Sequence, residues 1–259
     1  MNLKKIFFLG LIAINIIVII NSLQHLNNTN KPIIIHSTIV QDSLKLISQE
    51  YTNWLIQEEA SLWSELAKTI KLSQNYFSQL KKQWYKDYQH EEKILLKEET
   101  SQRPLSQKTY ELVTSILSDF NLSNRQISIK PWKDDSAAAA TDTTLFINEK
   151  CFNQLQHEAQ KFVIGHELQH FLHKDSSTNY VLRRHYKKNT PSDAKDHPLN
   201  KFARFHELRA DIQSALHGPD YAKGYVLYLE TLKDNIGITH PKNSLRLAIG
   251  RKILNNNLA

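Results

Sequence analysis

Residues 162–173, FVIGHELQHFLH, set three histidines and a glutamate in an otherwise apolar stretch. His166 and His170 are four positions apart, so on a helix both imidazoles leave the same face and their nitrogens can converge on one cation. Glu167 is one step further round. It can reach a water held at that cation without binding the cation itself, which is the logic of H-E-x-x-H sites. Phe162, Val163, Ile164, Leu168, Phe171 and Leu172 surround the polar residues. That pattern predicts a buried helix turning a few polar atoms toward a cleft. An isolated H-E-x-x-H also arises by chance, so the site must be completed from elsewhere in the chain.

A zinc that hydrolyses bonds needs a third protein ligand and an open fourth position. The candidate segment is FARFHELRADIQSA, residues 202–215. Glu207 and Asp211 are again four apart, so one can bind metal while the other hydrogen-bonds the outer nitrogen of a ligating histidine and fixes its tautomer. His206 is a competing third ligand. It is rotated from Glu207 by about 100° on a helix of roughly 3.6 residues per turn, so only one of the two faces the metal. His173 closes its helix and is assigned no chemistry.

The elements that must hold these residues are marked off by Gly and Pro. From Ile33 to Arg103 there is neither. Leu44, Ile47, Tyr51, Trp54, Leu55, Leu62, Leu66 and Ile70, then Phe77, Leu80 and Trp84, recur at spacings near three and four. This predicts a long amphipathic helix or a helical hairpin whose aromatic stripe packs on the rest of the chain, on a partner or on itself. A helix is expected over 106–120 with Ser106 as N-cap. Strands are expected at 126–132 and 143–148, with the alanine-rich SAAAA (136–140) between them. Further helices are expected at about 152–173, 199–217, 219–235 and from Pro241 to the end. Many helices and few, segregated strands give an α+β class with a small sheet.

Composition narrows the chemistry. With Cys151 as its single cysteine, the chain has no internal disulfide and no cysteine-rich zinc site, so a metal must be held by His and carboxylates. The net charge of +7, from 33 basic and 26 acidic residues, comes with no nucleic-acid-binding motif, and no nucleic-acid partner is expected. At the N-terminus, Lys4 and Lys5 precede the apolar run IFFLGLIAINIIVII, and no small-x-small cleavage site follows. Residues 1–24 are therefore expected to be a signal or membrane anchor, preferably uncleaved, with the remainder on the extracytoplasmic side. Secretion after cleavage is the alternative.

GHELQH, then ELRADIQSA, then THPKNSLRLA (239–248) together resemble the gluzincin zinc metallopeptidases of the M48 type, the family of the CAAX-prenyl proteases. The resemblance spans about Ser106 to Asn257. Glu207, Ala210 and Asp211 match the family's second element, and His240, Pro241 and Arg246 its third. The resemblance implies a gluzincin metallopeptidase domain over 104–259, preceded by a helical region at 33–103. It implies one Zn2+ per chain on His166, His170 and Glu207, with Asp211 holding a ligand from behind and Glu167 as general base toward a polypeptide substrate. His240 is either an oxyanion stabiliser or, with Pro241 and Arg246, part of an element that orders the last helix. An edge strand beside the cleft would receive extended substrate, and SAAAA is the candidate.

The chain departs from the multi-spanning members, since nothing after residue 20 is apolar enough to span a membrane. Residues 183–204 are expected to form a basic loop between the metal helices, solvated or acting as a lid. The resulting expectation is a zinc endopeptidase acting on extended or unfolded polypeptides. Its rival is a catalytically silent zinc protein that binds a partner through its N-terminal helices.

Overall fold

A computed structural model describes residues 36–98, 103–187, 197–232 and 240–258. The expected N-terminal anchor lies outside these residues. Among those described, no helix is long and apolar enough to cross a membrane.

The Gly- and Pro-free stretch folds as two helices, α1 (His36–Thr69) and α2 (Gln74–Glu98). They are separated at Lys71, which adopts a left-handed backbone with φ 53°. Tyr51, Leu55, Leu62 and Leu66 are buried at helical spacing along α1. Trp63 lies between Phe77 and Phe202, with ring centroids 4.9 Å from each. The aromatic stripe therefore packs on the rest of the chain, and residues 40–259 form a single compact unit. Trp54 departs from the pattern: it remains 38% exposed.

Helix α3 (Gln107–Asp119) starts where expected, with Ser106 Oγ accepting from the Thr109 amide. The sheet that follows has three strands, β1 (Ser128–Pro131), β2 (Ala138–Ala140) and β3 (Thr144–Ile147), in the order β1-β3-β2. β3 is central and buried at every position. It runs parallel to β1, with Ser128 opposite Thr144, and antiparallel to β2, with Ala138 opposite Ile147. SAAAA therefore contains a strand, and that strand is a sheet edge.

Six helices complete the described chain: α4 (Glu149–Phe152), α5 (His157–His173), α6 (Asp175–Lys187), α7 (Pro198–Ala215), α8 (Pro219–Thr231) and α9 (Asn243–Leu258). The architecture is α+β, mostly helical with one small mixed sheet. Two expectations need correction. The helix expected from Phe152 begins at His157, because the short α4, capped by Asn148, stands apart from it. The segment 183–204 is not a single loop. Arg183 and Arg184 ride on α6, and Lys201 and Arg204 on α7. Ser177, Val181 and His185 are buried four apart on α6, with Thr178, Leu182 and Tyr186 beside them. That stripe makes the segment a helix despite its charge, and it meets α2, where the Arg184 guanidinium lies 5.0 Å above the Trp84 ring.

Helix α5 lies at the centre, against α7, α8 and the sheet. Its contact with α8 is closest at Gly224, where a Cβ would lie 1.9 Å from the Glu158 carbonyl oxygen. Only glycine allows the two backbones so near. Phe162 stacks on Tyr225 across the same contact at 4.7 Å.

Candidate metal centre

His166 and His170 leave one face of α5, as their spacing requires, and Glu207 faces them from α7. The His166 and His170 Nε2 atoms are 3.0 Å apart. Glu207 Oε2 is 3.4 Å from His166 Nε2, and its Oε1 is 3.6 Å from His170 Nε2. The two imidazole nitrogens and the Glu207 carboxylate thus form a group able to hold a metal ion. Tetrahedral zinc with bonds of about 2.0–2.1 Å places its ligand atoms about 3.3–3.4 Å apart; the two imidazole nitrogens lie somewhat closer than that and the Glu207 oxygens about as far, so this His2Glu set could hold a divalent cation of that size.

Each histidine is oriented from behind. His166 Nδ1 is 2.9 Å from Asp211 Oδ1, and His170 Nδ1 is 2.8 Å from Asp175 Oδ2. A carboxylate partner only accepts, so both Nδ1 atoms carry a proton and both Nε2 atoms point inward. The carboxylates are anchored in turn. Arg246 donates to both oxygens of Asp211, at 2.6 and 2.9 Å, and the Tyr225 hydroxyl reaches Oδ2 at 3.1 Å. Asp175 is gripped by the Arg209 guanidinium. All five supporting side chains are buried, where such bonds matter most.

The electrostatics follow from this packing. Burial works against charge on His166, but its bonds to Asp211 and Glu207 prevail and raise its pKa to about 9. For His170, burial likewise acts downward and is outweighed by Glu207 and Asp175, so its pKa rises well above the ordinary value. Burial pushes the Glu207 pKa up, but His170 and His166 overcome it and hold the group well below the carboxylate range. The carboxylates thus favour positive charge between the imidazoles, whether as protons or as a divalent cation. Glu167 differs: burial raises its pKa in spite of the neighbouring histidines.

His206 leaves α7 about 100° round from Glu207. It is buried, with Nε2 3.6 Å from Asp175 Oδ1, and burial lowers its pKa to about 3. The rotation between adjacent helical positions thus brings Glu207, not His206, to the two histidines. His173 ends α5 and bonds Gln213 at 2.7 Å, away from the group. His240 Nε2 is 3.1 Å from Glu207 Oε2 and half exposed, so the His-Pro element brings its imidazole to the edge of the site, while Arg246 from the same element supports Asp211.

A cavity of about 440 Å3 opens over the group. Its lining includes Glu167, His166, His170, Glu207 and His240, the edge-strand residues Ala138–Ala140, and Ser176 and Asn179 of α6. Three supporting residues escaped the sequence reading: Asp175, Arg209 and Tyr225. Asp175 follows the motif by five residues, but it comes back to His170 only because Lys174 turns left-handed at the end of α5, with φ 55°. A lysine in that conformation leaves no sequence signal.

Compared with known protein-family models, curated proteins and solved structures, the chain matches none.

Proposed function

We propose that this chain is a zinc-dependent endopeptidase of the M48-like gluzincin type, acting on extended or unfolded polypeptide. One observation carries the reading: the His2Glu group and Glu167 line a single cavity whose wall includes β2, the edge strand of the described sheet. Zinc held by His166, His170 and Glu207 would supply Lewis-acid activation of water and of the scissile carbonyl.

The remaining chemistry falls to the chain's own residues. Substrate pairs with β2 as an added strand, and the alanine side chains of β2 let a second backbone come close. Glu167 takes a proton from the attacking water onto its carboxylate and delivers it to the leaving amine nitrogen. His240, at the cavity edge, would donate to the developing oxyanion. Asp211 and Asp175 hold the two imidazoles so that these groups keep their relative positions. The apolar run after Lys4 and Lys5 supports a tether that leaves this domain on the extracytoplasmic side of a membrane.

The test compares the purified protein with Glu167→Gln. Wild type should contain one zinc per chain and cleave casein, while the variant keeps its zinc and cleaves nothing. A zinc-loaded wild type that leaves casein intact, or a variant as active as wild type, would overturn the proposal.

A further inference from the structure

Beyond His240 lies a second groove of about 520 Å3. His240 lines both cavities, and no residue of the sheet lines the second. The floor of the groove is Leu62 from α1 with Phe205 and Leu208 from α7, all buried. Its walls include Trp54 of α1 and Leu245 of α9, which are 38% and 50% exposed. At the rim Lys201 Nζ meets Glu65 Oε1 at 2.7 Å and ties α1 to α7, so helix packing forms the groove before anything enters it.

Two features call for an occupant. Trp54 shares the helical spacing of a buried stripe, yet an indole and a leucine are left in water within one concavity, and clustered exposure of large apolar groups marks a binding surface. The groove also adjoins the cleft over the His2Glu group, since His240 lines both. A strand bound along β2 advances about 3.3 Å per residue, so a substrate crossing the metal group passes His240 within a few residues. The rim charges are mixed, with Glu58 and Glu65 against Lys201, Arg204 and Lys242, and select no sign of charge. The floor selects apolar groups.

We propose that this groove is a specificity subsite, resting on the peptidase reading above, and that it takes an aromatic or long aliphatic side chain from a residue flanking the scissile bond. Helix α1, outside the segment that carries the metal motifs, thereby helps to choose the substrate. A well-filled apolar pocket discriminates by about tenfold to a hundredfold in kcat/KM.

The test uses quenched fluorescent peptides built on one casein cleavage site, with each position flanking the cut varied in turn among Phe, Leu, Ala and Asp. Wild type is compared with Trp54→Ala and with Leu245→Glu, both at exposed side chains, and melting curves confirm that each variant folds. Wild type should prefer Phe or Leu at one flanking position by tenfold or more. The variants should lose that preference there and keep the preferences elsewhere. If wild type cleaves and both variants retain its full profile, the groove is not a subsite and the peptidase reading stands. If zinc-loaded wild type cleaves neither casein nor any peptide, the peptidase reading fails and the subsite with it.

Discussion

Asp211 lies 2.9 Å from the Nδ1 of His166 and is entirely buried, so the first histidine of the metal group is held by a carboxylate that water cannot reach. Arg246 neutralises that carboxylate through two hydrogen bonds. The pair is thus both a support for the candidate metal group and a buried ion pair, and two substitutions probe it. Asp211→Asn should weaken zinc affinity by about 10–100-fold and, because it leaves the buried Arg246 charge uncompensated, should lower stability as well. Arg246→Met leaves the buried carboxylate facing only Tyr225 and His166 and should cost about 3–5 kcal/mol of stability. Zinc competition titrations and melting curves measure the two effects. Unchanged affinity in Asp211→Asn would mean that His166 needs no support.

Glu207 and His206 are neighbours in sequence and belong to different environments. Glu207→Gln should lose zinc, because it removes the anionic oxygen that faces both Nε2 atoms. His206→Gln should retain it, since His206 faces Asp175 at 3.6 Å and is not one of the three residues whose ligand atoms converge. Metal content of the two purified variants decides the matter, and loss of zinc from the His206 variant would reverse the ligand assignment.

The same pair shows how much of the site was legible beforehand. The four-residue spacings of His166 with His170 and of Glu207 with Asp211 are properties of one helix each, and local geometry carries them into the fold unchanged. Periodicity likewise located α3, β1, β3, α7, α8 and α9 to within a few residues. What could not be read depended on contacts between elements. Asp175 reaches His170 only through a left-handed Lys174, Tyr225 reaches Asp211 from α8, and Trp54 escapes burial because of how α1 lies on α7 and α9. In α6 the charged residues mask a buried spacing of four, Ser177, Val181 and His185.

The contact of α5 with α8 is sharply sensitive to size. Gly224→Ala would drive a methyl group into the Glu158 carbonyl, a backbone atom that cannot step aside. Separating the helices should cost about 3 kcal/mol, the upper part of the usual range for overpacking. In a domain of this size that lowers Tm by roughly 6–12 °C. Gly218→Ala is the control: the nearest atom to its new methyl is 3.8 Å away, in ordinary contact, and its backbone is extended. A melting temperature for Gly224→Ala equal to that of the control would show that the two helices are not so closely packed.

Acid should reveal a tie far from the metal. Glu149 of α4 accepts hydrogen bonds from the Ser106 amide at 3.0 Å and from the Ser106 and Thr109 hydroxyls, linking α4 to the start of α3. Burial pushes its pKa up, but these bonds outweigh burial and lower it below the ordinary glutamate value. A carboxylate with a depressed folded pKa stabilises the protein above its unfolded pKa and loses that contribution as pH falls through the folded one. Glu149→Gln should therefore be less stable than wild type by about 1 kcal/mol at neutral pH. The difference should shrink only below the unfolded pKa and vanish once the native carboxylate is protonated. Melting both proteins from neutral pH down into the acid range tests this, and a gap that persists unchanged at the acid end would assign the effect to packing instead of charge.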